Sequence, residues 1–262
     1  MQKIAVYTLH TDLKTAAKAL AKKLQLPYTK EALYWILLTP EYLGLQKVSE
    51  KLAPLYIDFS SGKMAYRQQH ASIREETLAK ALGLKHGKER YIIDATAGLA
   101  RDSFIIAALG FKVELIERSP IISALIEDAF KRARNHPHIA PIIERMHLVT
   151  GDAITLLANR SERPDIIYLD PMFPLRKKSA LPKKDMQIFH DVIGPDEDTD
   201  ELLKTALACA KDRVVVKRAR LSSELGRIKP SFALSGTSSR FDIYLLRPHG
   251  HPALFNSICS AP

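Results

Sequence analysis

The spacing of hydrophobic and polar positions changes along the chain at about Tyr91. After Tyr91, short apolar runs alternate with segments in which apolar residues recur every three or four positions. Short apolar runs are typical of strands buried on both faces, and the three-to-four spacing is typical of helices. Strands and helices in alternation predict a parallel sheet with helices on both of its faces.

The boundaries of these elements follow from the same pattern. Strands are predicted at 91–94, 111–117, 147–149, 165–169 and 213–216, and helices at 102–109 and 199–210. A further helix is predicted to begin at Ser119 and Pro120, residue types favoured at a helix cap and at the first helical position. The last two runs, 231–234 and 240–246, are joined by a short polar turn and predict an antiparallel hairpin. The expected fold class is α/β, a doubly wound Rossmann-like sheet that ends in this hairpin.

The first 65 residues have a more mixed pattern and predict a small α+β region of their own. Apolar runs predict strands at 4–7, 33–37 and 55–59, and a helical spacing predicts a helix over 13–24. We expect this region, 1–65, to be an RNA-binding accessory to a main domain over 66–262.

A bridging helix is expected between the two regions. Ser72 and Glu75 have the spacing of a capping box, in which each side chain accepts a hydrogen bond from the other residue's backbone N–H. Gly83 suits the left-handed position that commonly follows the last turn of a helix. The sequence therefore predicts one helix from about Ser72 to Gly83.

The composition adds a strong positive charge to this picture. The chain of 262 residues has a formal net charge of +10, with an ordinary hydrophobic content of 46%. Basic proteins attract nucleic acid through counterion release, although a solvated charged face would have the same composition. Two basic stretches, within 176–184 and 211–220, flank the candidate site described below, which favours nucleic acid. The predicted phosphate contacts of the first stretch are Arg176, Lys177, Lys178, Lys183 and Lys184.

Membrane, secreted and metal-binding classes are disfavoured. No apolar run approaches the roughly 20 residues that a membrane-spanning helix needs, and the first residues lack the apolar segment of a secretion signal. The two cysteines, Cys209 and Cys259, provide no disulfide framework, and the nine histidines show no metal-ligand spacing. We expect a cytoplasmic protein with no membrane partner and no metal. The sequence leaves the oligomeric state open.

Ligands of doubly wound sheets bind beyond the carboxyl ends of the strands, so the residues that follow each strand are the candidate site. Asp94 ends the first strand of the main domain, and small residues, among them Gly98, form the turn into the next helix. The turn lacks the G-x-G-x-x-G pattern that cradles a pyrophosphate. S-adenosylmethionine (SAM) suits it better, because the helix N-terminus can bind the carboxylate of the cofactor and an acid its ammonium. An ordinary strand-to-helix turn is the alternative.

Two further strand ends carry acids. Glu117 ends the next strand, 23 residues after Asp94, where an acid commonly binds a ribose diol, although an exposed surface glutamate is the alternative. Its neighbour Arg118 could face the adenine or solvent. Asp152 and Ala153 follow the third strand, and Asp152 could accept from an adenine amino group, although Gly-Asp is also a common turn.

The segment from Asp170 to Pro174 gives the strongest indication. Its two prolines hold an extended, rigid loop directly after a buried strand. An exocyclic base nitrogen is a poor nucleophile, and it would be held for attack on a methyl group if a carboxylate and a backbone carbonyl accepted its two N–H hydrogens. We assign the first acceptor to Asp170 and the second to Pro171 or Met172, and we expect Phe173 to stack on the base. A strand end with a proline turn and a core phenylalanine is the alternative.

These segments together resemble the ribosomal RNA small subunit methyltransferase J family. The resemblance covers roughly residues 58–246 and is most specific over 170–181. It is carried by Asp94–Asp102, Glu117-Arg118, Leu169–Pro174, Lys177–Leu181, Val214–Arg218 and Arg240–Tyr244. The resemblance implies the class I methyltransferase version of the fold, in a bacterial enzyme that uses SAM to methylate N2 of one guanine in 16S rRNA. The implied partner is 16S rRNA or the small ribosomal subunit.

The resemblance also implies site residues and shows two departures. The cofactor contacts that it implies are Arg101, Asp102, Glu117, Arg118, Asp152, Ala153 and Asp170. Ala100 stands where the family usually has glycine, which is expected to place a methyl group beside the cofactor turn. Residues 68–75 replace a glycine-rich stretch of the family, a change expected to affect cofactor closure or RNA entry.

The chemistry of the motifs leaves the target base open. The same loop would serve adenine N6 or cytosine N4, so a DNA or RNA amino-methyltransferase is the nearest alternative. An RNA-binding protein that has kept the fold and lost catalysis is a second alternative, which Asp170 disfavours. The choice of guanine N2 in rRNA rests on the family resemblance.

Overall fold

The computed structural model describes residues 2–50, 53–172, 184–194, 196–236 and 239–246. The strands in these ranges are β1 (Gln2–Tyr7), β2 (Ala32–Leu38), β3 (Leu43–Lys47), β4 (Ile92–Asp94), β5 (Val113–Glu117), β6 (Met146–Thr150), β7 (Ile166–Leu169), β8 (Arg213–Ala219), β9 (Phe232–Ser235) and β10 (Ser239–Leu245). The α-helices are α1 (Lys14–Lys23), α2 (Gly62–His70), α3 (Thr77–Leu82), α4 (Arg101–Ala108), α5 (Pro120–Ala133), α6 (Ala140–Ile143), α7 (Ala153–Ala158), α8 (Lys184–Ile193) and α9 (Thr199–Cys209).

Seven strands form the main sheet in the order β6-β5-β4-β7-β8-β10-β9. Strands β4 to β8 run parallel, and β10 pairs antiparallel with both β8 and β9. The predicted α/β fold with a terminal hairpin is therefore confirmed. The hairpin does not simply extend the sheet, because β10 enters between β8 and β9 and leaves β9 at the edge.

The central strands of the main sheet, β4 and β7, are buried on both faces, which explains their nearly continuous apolar sequence. Ile92 and Ile166 pack into one apolar core, and their neighbours Ile93 and Ile167 pack into a second core on the opposite face. All four side chains are fully buried. Successive side chains of a strand point to opposite faces, so a strand covered by helices on both sides needs apolar residues throughout.

The N-terminal region contains a second sheet in the order β1-β2-β3. The predicted strands at 4–7 and 33–37 are confirmed as parts of β1 and β2, whereas the strand predicted at 55–59 is wrong. Only an isolated bridge joins Leu55 to Leu45 of β3, and β3 itself was not predicted. Leu55, Ile57 and Phe59 are buried, so their alternation reflects burial of one side of an extended segment rather than strand pairing.

The predicted bridging helix is shorter than expected, because only α3 lies within the predicted range, and α2, which precedes that range, was not predicted. The backbone N–H of Glu75 does donate to the Ser72 hydroxyl (3.1 Å), but this bond closes a turn between the helices. Gly83 ends α3 in the left-handed conformation (φ +64°), as predicted. The prediction is wrong in its start, since α3 begins at Thr77, while α2 ends earlier at Ala71, whose backbone is extended.

The N-terminal sheet packs on the main sheet through α5 and α8. The Leu43 backbone N–H donates to the Asp128 carboxylate on α5 (3.0 Å), and the Tyr34 hydroxyl donates to Asp191 on α8 (2.7 Å). Apolar residues of both regions belong to one continuous core. The division into two domains stays a prediction. No helix in the described part of the chain is long and apolar enough to cross a membrane.

Candidate active site

Two adjoining cavities open at the carboxyl edge of the main sheet. The first, which we call the β5 cavity, has a volume of about 610 Å³ and lies beyond β4, β5 and β7. The second, the β8 cavity, has a volume of about 1040 Å³ and includes Lys217 of β8. The residues that line both cavities are Thr96, Gly98, Asp170, Met172 and Phe189. Asp170 therefore lies where the two cavities meet.

The turn after β4 is built around the buried carboxylate of Asp94. This carboxylate accepts hydrogen bonds from the Thr96 backbone N–H (3.1 Å) and from the Ser103 hydroxyl. Burial raises the pKa of Asp94 to about 7, although both hydrogen bonds oppose the rise. Gly98 has a positive φ (+52°), a conformation that glycine adopts without strain. Asp94 thus fixes the shape of the turn, and Gly98 lines both cavities.

Ala100 also has a positive φ (+55°), a backbone conformation that favours glycine and strains a residue with a Cβ atom. Its methyl group lies in the turn between β4 and α4, as expected, but on the side of the core. Ala100 is fully buried in the apolar core, and it is not among the described residues that line either cavity. The extra methyl group adds a core contact in exchange for a strained backbone.

Glu117, at the end of β5, holds the same turn from the side. One carboxylate oxygen accepts from the Gly98 backbone N–H (2.9 Å) and the other from the Ser119 backbone N–H (2.8 Å). Only 7% of the residue is exposed, and burial raises its pKa to about 7 against the effect of these two N–H groups. Each oxygen keeps a lone pair that a ligand hydroxyl in the β5 cavity could use.

Arg118 lines the β5 cavity, and its guanidinium is paired with acidic side chains. Its guanidinium donates to both oxygens of Asp198 (3.1 and 3.0 Å) and to Asp196. Asp196 in turn accepts from the Met172 backbone N–H (2.6 Å) and donates its own N–H to the Met172 carbonyl (2.9 Å). Arg118 therefore anchors the loop that follows β7. The acidic run that begins at Asp196 is visible in the sequence, but its spacing does not show that these acids pair with Arg118.

Asp152 caps the N-terminus of α7. Its Oδ1 accepts from both the backbone N–H and the hydroxyl of Thr155 (2.8 Å each). Asp152 and the buried Ala153 line the β5 cavity, as does an apolar wall formed by Ile116, Ile154 and Leu202. An apolar wall with an acid at its rim suits a flat, amino-bearing ring.

Asp170 begins the loop after β7 and is held at two atoms. Its backbone N–H donates to the Thr96 hydroxyl (2.6 Å), and its Oδ2 pairs with the Lys217 ammonium (2.8 Å). About 40% of its side chain is exposed to the cavities. Of the two carbonyls considered as the second acceptor, that of Met172 already accepts from Asp196. The geometry therefore favours the Pro171 carbonyl.

Asp102, in the first turn of α4, is surrounded by donors. It accepts from the Tyr168 hydroxyl (2.7 Å), the Lys217 ammonium (2.7 Å) and the Arg67 guanidinium (3.1 Å). Burial alone would raise the pKa of Asp102, but Lys217, Tyr168 and Arg67 together outweigh burial and the pKa is lowered. The role of Asp102 as a cofactor contact stays a prediction, since its oxygens are engaged by side chains of the protein here.

The second basic stretch is not the exposed phosphate-binding face that its sequence suggests. Arg218 is buried, Arg213 donates to the Ala81 carbonyl (3.2 Å), and Lys217 pairs with the two acids described above. Of the basic residues in this stretch, only Lys211 and Arg220 are exposed. A strand places alternate side chains on opposite faces, so a basic run within β8 cannot present one continuous surface.

The remaining predicted residues differ in how far the structure describes them. Arg101 is exposed at the rim of the β8 cavity, and within the described ranges it has no hydrogen-bond or ion-pair partner. Lys184 begins α8, and its side chain is not described. Five predicted residues lie outside the described residues, namely Phe173, Arg176, Lys177, Lys178 and Lys183. Among the residues that are described, no group of three or more His, Cys, Asp or Glu could hold a metal ion.

Comparisons with known proteins identify the family. A family model described as "Putative SAM-dependent methyltransferase" matches residues 19–246. The chain belongs to this family. It is 47% identical to the ribosomal RNA small subunit methyltransferase J of Aeromonas salmonicida over 90% of this chain and 95% of the relative. It is 44% identical to the protein of the same name from Thioalkalivibrio sulfidiphilus, over 93% of this chain and 98% of the relative.

A solved structure supports the same conclusion. A crystal structure of a SAM-dependent methyltransferase from Neisseria gonorrhoeae is 33% identical and has a TM-score of 0.73, with 95% of this chain and 98% of that chain covered. The fold and the use of SAM predicted from the sequence are therefore confirmed.

The β5 cavity of this methyltransferase fits SAM by its own chemistry. Acids at Glu117 and Asp152 face a cavity with an apolar wall, which matches the hydroxyl, amino and ring groups of an adenosine. The open side of this cavity reaches Asp170, so a reactive group bound there would meet a second ligand at the junction with the β8 cavity.

Proposed function

We propose that this methyltransferase methylates the exocyclic N2 amino group of a guanine in 16S rRNA of the small ribosomal subunit. The observation that carries the proposal is the position of Asp170 at the junction of the two cavities, with Pro171 beside it in the β8 cavity. The name of the relatives, ribosomal RNA small subunit methyltransferase J, supports ribosomal RNA as the substrate class. Since ribosomal RNA is the proposed substrate, we also propose a cytoplasmic location.

The cofactor contacts follow from the lining of the β5 cavity. Glu117 accepts hydrogen bonds from ribose hydroxyls, and Asp152 accepts from the adenine amino group through Oδ2, because its Oδ1 caps α7. The turn around Gly98 and the first residues of α4, including Arg101, lie where a carboxylate is favoured. Bound SAM supplies a methyl group on a sulfonium, which is electrophilic at carbon.

The target amino group is held by the loop after β7. Oδ1 of Asp170 and the Pro171 carbonyl accept its two N–H hydrogens, which keeps the nitrogen lone pair directed at the methyl carbon. The cofactor would supply its methyl group to the nitrogen and keep the electron pair of the C–S bond on sulfur, and the nitrogen would release one proton to solvent. Asp170 is ionised during this step, so it also stabilises the positive charge that develops on nitrogen.

The RNA contacts are proposed on the rim of the β8 cavity. Arg101 is an exposed cation there, and α2 places Arg67 in the same cavity. Tyr66, the neighbour of Arg67, is 65% exposed and stacks on His70 with ring centroids 4.0 Å apart. An exposed aromatic ring beside a target cavity can stack on an unpaired base. The lysines and arginines within 176–184 and the N-terminal region, 1–65, are the other proposed contacts.

The test is transfer of labelled methyl groups from SAM to free 16S rRNA, small ribosomal subunits and duplex DNA, followed by nucleoside analysis. We expect label in N2-methylguanosine from one or both rRNA substrates, and loss of the label with Asp170→Ala. Label in DNA, or in N6-methyladenosine or N4-methylcytidine, would overturn the proposed base. Full activity of Asp170→Ala would overturn the proposed mechanism.

A catalytically inactive RNA-binding protein is the alternative of a different class. A calorimetric titration of the wild type with SAM separates the two, because an inactive binder needs no cofactor. We expect saturable binding that Glu117→Ala weakens. Absence of SAM binding by a folded wild-type protein, with RNA binding retained, would favour the alternative.

A further inference from the structure

Lys217 occupies the space between two carboxylates of the β8 cavity. Its ammonium lies 2.7 Å from Oδ2 of Asp102 and 2.8 Å from Oδ2 of Asp170. About 29% of its side chain is exposed, so the ammonium is mostly withdrawn from solvent. A lysine that contacts RNA phosphates would extend into solvent, whereas this side chain is directed at the reaction centre.

The sheet determines where Lys217 points. In β8, Val216 pairs with Leu169 of β7, so Lys217 is one residue further along, level with Asp170. Its neighbours Val216 and Arg218 are buried, and on its other side Lys217 pairs with Phe241 of β10. The register of β7 and β8 therefore brings the two side chains together.

Asp102 holds Lys217 from the side opposite Asp170. Oδ2 of Asp102 also accepts from the Tyr168 hydroxyl, and its Oδ1 accepts from Arg67, which forms a two-point ion pair with Glu76 (3.1 and 3.2 Å). Alternating charges thus connect α2 to the loop after β7. Such a connected, satisfied network holds each member in one geometry.

We propose that Lys217 is a positioning residue for methyl transfer, which binds Oδ2 of Asp170 and so presents Oδ1 to the target amino group. This proposal rests on the proposed function, because it assigns that group to Asp170. One carboxylate oxygen is fixed by the protein, and the other is left for the substrate. The geometry of the acceptor is then set before RNA binds, which is the condition for efficient positioning.

Lys217 also controls the charge of Asp170. The acids that face Asp170 are Asp94 from β4, Asp102 from α4 and Asp196 from the segment before α9. The other charged or titratable groups around Lys217 are Arg67 on α2 and Tyr168 on β7. Burial and the surrounding acids raise the pKa of Asp170, and Lys217 is the cation that opposes them. Burial would lower the pKa of Lys217, but Asp170 and Asp102 raise it, so the lysine stays charged.

The test compares Lys217→Met and Lys217→Gln with Lys217→Arg. Methionine and glutamine keep the length of the stem and remove the charge, whereas arginine restores the charge. We expect kcat to fall by up to about 100-fold in the two neutral variants, with KM for RNA changed by less than about threefold. The acid limb of the pH–kcat/KM profile should move to higher pH, because Asp170 loses the cation that keeps it ionised. Arginine should restore most of kcat and the position of that limb.

The matched control is Lys112→Met, which removes the same charge from an exposed position before β5, at the opposite edge of the sheet. We expect wild-type kcat and an unshifted pH profile from it. An unchanged kcat in Lys217→Met, with a raised KM and a weaker salt dependence, would show a phosphate contact and overturn the proposal. Loss of kcat with an unmoved acid limb in both neutral variants would also overturn it.

A second measurement does not depend on activity. Carbon-detected NMR titration of the Asp170 carboxyl group should give a higher pKa in Lys217→Gln than in the wild type. A cooperative unfolding transition shows that the variant is folded. An equal pKa in the two proteins would overturn the proposal even if methylation is confirmed. If the wild type methylates no RNA but this shift is found, the proposed function fails while the pairing of Lys217 with Asp170 stands.

Discussion

Glu117 in the β5 cavity and Asp102 in the β8 cavity are held in different ways. In the β5 cavity, Glu117 accepts from two backbone N–H groups, and its pKa is raised to about 7 by burial. In the β8 cavity, Asp102 accepts from the side chains of Lys217 and Arg67, and its pKa is lowered. Acids of similar burial therefore differ in charge near neutral pH, because a backbone amide orients a carboxylate whereas a nearby cation also keeps it ionised.

This difference matches the two tasks that we propose. A carboxylate that binds hydroxyl groups needs correctly placed oxygen atoms, and it can tolerate a pKa near neutrality. A carboxylate that receives the N–H groups of a nitrogen gaining positive charge must be ionised throughout. Glu117 relies on backbone geometry, whereas Asp170 relies on the paired charge of Lys217 to oppose the burial that raises its pKa.

The largest expected effect is that of Asp170→Ala in the β8 cavity. We expect kcat to fall at least about 100-fold, because the acceptor for the developing positive charge is removed. The affinity for RNA should be retained, since the basic residues are unchanged. Single-turnover kinetics and filter binding on the same protein measure the two properties. Asp170→Asn is the matched variant, and it should lose nearly as much, because an amide carries no charge.

Glu117→Ala in the β5 cavity should have the next largest effect, and on a different quantity. We expect the dissociation constant for SAM to rise by about 10- to 100-fold, as for the loss of hydrogen bonds to a charged group. Calorimetry measures the constant, and Glu117→Gln, which keeps one acceptor, should lie between the mutant and the wild type. The comparison between the cavities breaks down if Glu117→Ala lowers kcat at saturating SAM as strongly as Asp170→Ala does.

The pH dependence of stability should reveal the raised pKa of Glu117. Glu117 has a pKa of about 7 in the folded protein, above its ordinary value of 4.5, so the folded state binds more protons than the unfolded state between these values. The free energy of unfolding should therefore fall as pH rises from about 5 to 7, by up to about 1.4 kcal/mol per pH unit for this group. Urea unfolding of the wild type and Glu117→Gln at several pH values measures the slope. An equal slope in both proteins contradicts the prediction.

The smallest expected effect is that of Ala100→Gly, in the turn beside the β5 cavity. Glycine relieves the strain of the positive φ, by about 1 kcal/mol, and it loses the burial of one methyl group, by about 0.8 kcal/mol. We expect a change below about 1 kcal/mol in the free energy of unfolding and less than a twofold change in the affinity for SAM. A large gain in SAM affinity would show that the methyl group does impede the cofactor.

Much of the fold could be predicted from the sequence because local patterns determine it. The apolar runs of β4, β5 and β7 and the cap at Ser119 each depend on a few neighbouring residues, and each was found in the structure. The strand prediction at 55–59 was wrong because it, too, used only a local pattern. Its alternation records burial, and burial does not specify a hydrogen-bonded partner strand.

The candidate site was predictable only as far as strand ends determine it. Asp94, Glu117, Asp152 and Asp170 lie at one edge of the sheet because parallel strands end together. The partners of these residues were not predictable. Arg118 binds acids about 80 residues away, and Lys217 lies in a basic run that gave no reason to distinguish it from Lys211.

By itself, the sequence determined a SAM-dependent methyltransferase fold and the loop at Asp170, since hydrophobic spacing and motif order are properties of the linear chain. Only the tertiary structure decided how the acids are charged and what holds them. In the folded protein, Ala100 is buried in the core and the Met172 carbonyl accepts a hydrogen bond from Asp196. Lys217 lies between two carboxylates. The physical reason is that charge and hydrogen bonding depend on distances of a few ångströms between residues far apart in the chain, which strand register and burial determine.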